Sequence, residues 1–77
     1  MLVETYGIKV IVFRDDQKIL ETKAYIQGNK MTFNNVDIKA LDIVKVPSED
    51  IEYQIKKINP IFQFEKLIHK EATVEII

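Results

Sequence analysis

The sequence predicts a mainly β fold: a small antiparallel β-barrel or sandwich of about six short strands, with room for one short helix. Three observations carry this expectation. Apolar and polar residues alternate with period two from Leu20 to Ile26 and again from Ala72 to Ile76, as in strands with one buried and one wet face. Clusters of turn-forming residues at Arg14–Gln17, Gly28-Asn29 and Pro47–Asp50 separate the apolar runs. Between those turns the chain is rich in Ile, Val and Tyr, residues that fit a pleated, half-buried surface.

The first strand is expected to start at Tyr6, where Tyr6, Ile8, Val10 and Val12 alternate with Gly7, Lys9, Ile11 and Phe13. Both faces turn apolar towards its end, which suits a strand covered on two sides. After the polar turn Arg14-Asp-Asp-Gln17, the return strand Ile19–Gln27 places Leu20, Thr22, Ala24 and Ile26 on one face. Glu21, Lys23 and Gln27 share the other with Ile19 and Tyr25. Gly28-Asn29 reads as a two-residue hairpin loop that tolerates positive φ. Lys30–Phe33 is a short third strand, Asn34-Asn35 breaks it, and Val36–Leu41 crosses to the second half.

The second half is organised by a hairpin. Ile43–Val46 goes out, Pro47–Asp50 turns, and Glu52–Ile58 returns until Asn59-Pro60 stops it. The same residues also satisfy the grammar of a helix over 48–58. Ser48 would be its N-cap, Glu49 and Asp50 its first turn, and Ile51, Ile55 and Ile58 one apolar face. The β-branched content and the neighbouring strands favour the hairpin. Ile61–Ile68 is open: its alternation suits a strand, while Phe64, Leu67 and Ile68 would equally line a helical turn. Lys70–Ile77 closes the chain as its cleanest strand.

Seventy-seven residues make one domain, residues 1–77, of a size that buries only about 60% of its unfolded surface. With no cysteine for a disulfide, such a domain depends on packing, on partner subunits, or on both. The net charge of −1 provides no global field for nucleic acid or an anionic membrane. No apolar run approaches the roughly 20 residues that span a bilayer. Met1–Gly7 lacks the basic start of a signal peptide.

The chemical inventory is thin. One histidine, His69, and one serine, Ser48, form the sole conceivable nucleophile–base pair, and nothing in their spacing recommends it. A single histidine without cysteine does not build a zinc site. Asp15-Asp16 and Glu49-Asp50-Ile51-Glu52 offer oxygen ligands but lack the alternating spacing and central glycine of a calcium loop. Gly7 and Gly28 are too few for a phosphate-binding loop. The expectation is a protein that is not an enzyme and needs neither metal nor cofactor.

Binding signals are stronger. Between Gln54 and Lys70, four lysines (Lys56, Lys57, Lys66, Lys70) face one acid, Glu65, a local +3 against −4 elsewhere. Phe62, Phe64 and His69 are interleaved with them. Lys56, Lys57, Phe62, Phe64, Lys66 and His69 are therefore the candidate binding face, with aromatics to stack bases and cations to meet phosphates. The plainer reading, which carries more weight, makes the phenylalanines core and the lysines a wet face. Phe62 and Phe64, two apart, could also share one face of a protein interface.

Three stretches of the second half carry a family resemblance: Asp42-Ile-Val-Lys-Val, Glu52-Tyr-Gln-Ile-Lys-Lys-Ile-Asn-Pro, and His69-Lys-Glu-Ala-Thr-Val-Glu-Ile. They resemble the small β-barrel head–tail connector, neck or joining proteins of tailed bacteriophages and prophages. There a strand entered at a Gly-Asp turn leads through a hairpin to a Tyr-x-Val/Ile strand, then to a final strand often opening with histidine. Leu41 stands where that family has glycine, and the chain is shorter than such connectors usually are. The resemblance implies a structural part between portal and tail that touches protein neighbours, itself included. It also implies residence in the host cytoplasm or the virion. The alternative is a small barrel that binds single-stranded nucleic acid; no membrane partner is expected.

Overall fold

Six strands close into an antiparallel barrel in the computed structural model, which describes Val3 and residues 6–77. They are β1 (Ile8–Arg14), β2 (Gln17–Gln27), β3 (Lys30–Asn34), β4 (Ile43–Val46), β5 (Ile51–Gln63) and β6 (Lys66–Ile76). The spatial order is β1-β2-β3-β6-β5-β4, with β4 returning to β1 through Ile11↔Lys45, Val12↔Val44 and Phe13↔Ile43. Closure gives the short strands a ladder on both sides.

Local chemistry sets the turns. Asp15 and Asp16 both have positive φ (52° and 63°), the two-residue loop that matches the twist of β1 and β2. Gly28 supplies φ 62° between β2 and β3. Between β4 and β5 the Glu49 amide donates to the Val46 carbonyl at 3.1 Å, and Asp50 reverses the chain at φ 53°. The helix weighed for 48–58 is thus replaced by a turn followed by β5. Its apparent helical spacing has a physical origin. Ile55 pairs with Val74 and Lys57 with Thr73, so Lys56 is an extra residue in the strand. That bulge brings Ile58 back to the inner face, three positions after Ile55.

Inward residues fill the barrel: Val10, Val12, Ala24, Met31, Phe33, Val44, Val46, Ile55, Ala72 and Val74 are almost wholly buried, with Ile38 and Tyr53. The expected inner face of β2 holds, with Ala24 in the core and Leu20 and Ile26 packed against it. A second bulge sets Ile19 beside Leu20 there, because Val12 pairs with Leu20 and Phe13 with Lys18.

Several expected boundaries move. Tyr6 is helical and β1 starts at Ile8. The Gly7 amide donates to the Val3 carbonyl at 2.9 Å, and a side chain on Gly7 would collide with that carbonyl. Asn59-Pro60 does not end the returning strand. β5 runs to Gln63, and β6 starts at Lys66 rather than Lys70. Beyond Ile55, β5 pairs only with β6 among the described residues, so the amide that Pro60 lacks leaves no second ladder broken.

The crossing segment closes one side of the barrel. Ile38 is buried, and Lys70 Nζ donates to the Val36 carbonyl at 2.8 Å. Asp42, 2% exposed, accepts from Arg14 Nε and Nη2, both at 2.9 Å, and from the Lys39 amide at 2.8 Å. The hydrogen bond to Asp42, opposed by partial desolvation, holds the Arg14 pKa above its ordinary value. The Asp42 amide returns a bond to the Lys39 carbonyl at 3.2 Å across a turn with Leu41 at φ 76°. That backbone normally calls for glycine.

Candidate functional site

Two strands outrun the rest of the barrel. β3 pairs with β6 no farther than Asn34↔His69, and β4 pairs with β5 no farther than Ile43↔Gln54. The β5–β6 ladder continues through Ile61↔His69 and Phe62↔Leu67 to Gln63↔Lys66. Phe64 and Glu65 turn this ribbon at φ 53° and 64°. The tip is consequently exposed, and the phenylalanines are surface residues rather than core: Phe62 is 60% exposed and Phe64 94%.

Residue alternation along the ladder sorts the candidate binding residues. Lys57 lies opposite Thr73, His69 opposite Ile61, and Lys66 opposite Gln63, all on the outer face. Phe62 lies opposite Leu67 and continues the inner row of Ile58 and Pro60 past the end of the core. Phe64 crowns the turn. The ribbon therefore brings Lys57, Lys66 and His69 to one side, Phe62 to the other, and Phe64 to the end. Lys56 is engaged on the barrel wall, donating to Gln54 Oε1 at 2.8 Å and pairing with Glu75 at 3.2 Å.

His69 sits at the base of the ribbon with its Nδ1 buried and lacking a hydrogen-bond partner. A cavity of about 410 Å³ beside it is lined by Val3, Tyr25, Gln27, Thr32, Ile68, His69 and Glu71. Ser48 lies past the other end of β5. Ile51 and Ile61 are ten residues apart on that strand, roughly 30 Å, so Ser48 and His69 do not meet. Asp15, Asp16 and Asp50 serve as turn residues at positive φ. Among the described residues no group of three or more histidines or carboxylates could hold a metal ion, and no helix is long and apolar enough to cross a membrane.

Sequence reasoning missed the Arg14–Asp42 pair. Its signal was compositional: the chain has a single arginine beside ten lysines, and arginine is favoured where a carboxylate must be held by two parallel bonds. Against known families, curated proteins and solved structures, the chain finds no match.

Proposed function

We propose that this protein is a non-enzymatic assembly component of a phage or prophage particle, acting in head–tail or tail morphogenesis through protein contacts of the β5–β6 hairpin. The observation that carries this reading is Phe64. It is 94% exposed and held at φ 53°, so the chain bears both an uncovered aromatic ring and a backbone that bulky residues avoid. Both costs are offset if the tip seats in a protein partner, where aromatic anchors dominate the binding energy. The resemblance to connector proteins supports the reading further. Leu41, in the place of that family's glycine, has a left-handed φ of 76°, a backbone that normally calls for glycine.

Mass spectrometry of tailed particles purified from the source tests the proposal. It expects this chain at a fixed copy number, and complete particles lacking it would overturn the assignment. A second reading, single-stranded nucleic-acid binding, draws on the exposed phenylalanines and the local +3. Lys57 and Lys66 lie across the ribbon from Phe62, which weakens a shared stacking surface. Binding that falls steeply with salt would revive it.

A further inference from the structure

We infer that the outer face of β2, β3 and β6 binds single-stranded nucleic acid, with one base in the cavity beside His69 and the flanking lysines on the phosphates. This rests on the second reading above and moves its site away from the ribbon tip. Strand register builds the face in outward rows, about 7 Å apart along the strands. The middle row, Tyr25–Thr32–Glu71, lines the cavity. On one side of it lies the row Gln27–Lys30–Thr73–Lys57. On the other lie the pairs Lys9↔Lys23 and Asn34↔His69. Four exposed lysines thus flank the cavity, and the one carboxylate in these rows is Glu71.

Charge and hydrogen bonding identify the occupant. Lys9 and Lys23 stand directly opposite each other, an arrangement of like charges that destabilises a ladder and that an anion between them relieves. Lys9 reaches Glu21 only at 3.8 Å, and Lys18 holds that carboxylate at 2.7 Å. Among the described residues Lys23, Lys30 and Lys57 have no carboxylate within ion-pairing reach. The cavity, about 410 Å³, has the size of a small-ligand pocket. Tyr25 lines it, and the exposed Tyr6 stands 6.3 Å from the Tyr25 ring, so aromatic faces are at hand for a base to stack on. Thr32 and Gln27 can donate or accept. The buried His69 Nδ1 lacks a partner, and an orphan polar atom at the wall of a polar cavity calls for an occupant with hydrogen-bonding edges. Glu71 only accepts, which favours a base carrying an exocyclic amino group over thymine. A carboxylate set among lysines disfavours a bare polyanion. It fits a ligand whose charge stays outside the pocket while its amino group enters.

Fluorescence anisotropy of the full chain with labelled oligo-dC and oligo-dT of about 12 nucleotides tests this. Four lysines, at a logarithmic slope of about 0.7 each, should lower oligo-dC affinity roughly fiftyfold between about 50 and 200 mM salt. Lys30→Gln with Lys57→Gln should weaken binding about tenfold and cut that slope by about half. Oligo-dC should bind about tenfold tighter than oligo-dT, and Glu71→Ala should erase the preference without weakening oligo-dT. Phe62→Ser with Phe64→Ser should leave oligo-dC affinity unchanged, and circular dichroism checks that each variant is folded. No binding by the wild type at about 50 mM salt overturns the inference, as does equal affinity for the two oligonucleotides or indifference to the lysine pair. Binding lost in the Phe62 and Phe64 variant instead overturns this site and sustains the ribbon of the second reading. Particle composition reports on the assembly proposal independently.

Discussion

Arg14 and Asp42, 28 residues apart, form a bidentate pair with both bonds at 2.9 Å. Asp42 is 2% exposed and Arg14 retains 26% side-chain exposure, so the carboxylate is the group at risk. Arg14→Met should destabilise the fold measurably, because it leaves the buried Asp42 carboxylate without its partner. Arg14→Lys should fall between wild type and Arg14→Met, because an ammonium keeps the charge but cannot reproduce the fork. Arg14→Met with Asp42→Leu should be milder than Arg14→Met alone. Urea denaturation midpoints measure all three, and a neutral Arg14→Met would show that the pair holds nothing.

Leu41 gives an opposite prediction. Its φ of 76° and 69% exposure mean that glycine would lose little packing. It would also relieve about 1–2 kcal/mol of left-handed strain, against about 0.5–1 kcal/mol of added chain entropy. Leu41→Gly should therefore stabilise by about 0.5–1 kcal/mol, a rise in Tm of a few degrees. Leu41→Val, β-branched at the same φ, should lower it. Calorimetry of the two variants side by side decides the sign.

The core is predicted to be intolerant and its outer face tolerant. Ile55 is fully buried, so Ile55→Asp places an unpaired charge in a domain whose total stability is of order 4–12 kcal/mol; it should unfold. Lys45→Glu should leave the domain folded. It loses the contact over Phe13 and opposes Glu52 across the ladder, a cost of about 1 kcal/mol. A folded Ile55→Asp by circular dichroism would contradict the barrel interior described above.

What could be read in advance depended on period and turn chemistry. The alternation of Leu20–Ile26 and Ala72–Ile76 and the turns at Arg14–Gln17, Gly28-Asn29 and Pro47–Asp50 place most of the strands, because each signal is local. The spacing of Ile55 and Ile58 imitates a helix beside the favoured hairpin because a bulge at Lys56 shifts the strand phase, and a bulge has no residue signature of its own. Pro60 read as a terminator because edge and central strands look alike before pairing is known. Phe62 and Phe64 look like core in any hydrophobicity argument. Only the ladder's extension beyond β3 and β4 exposes them.

Particle incorporation of a Phe62→Ser/Phe64→Ser variant tests whether the β5–β6 tip is the docking element. Both rings are exposed, so the variant should keep the wild-type circular dichroism and melting temperature. Quantitative mass spectrometry of purified tailed particles should then find the wild type at fixed copy number and the variant depleted at least about tenfold, in line with losing aromatic anchors. A folded variant present at the wild-type copy number would contradict the claim.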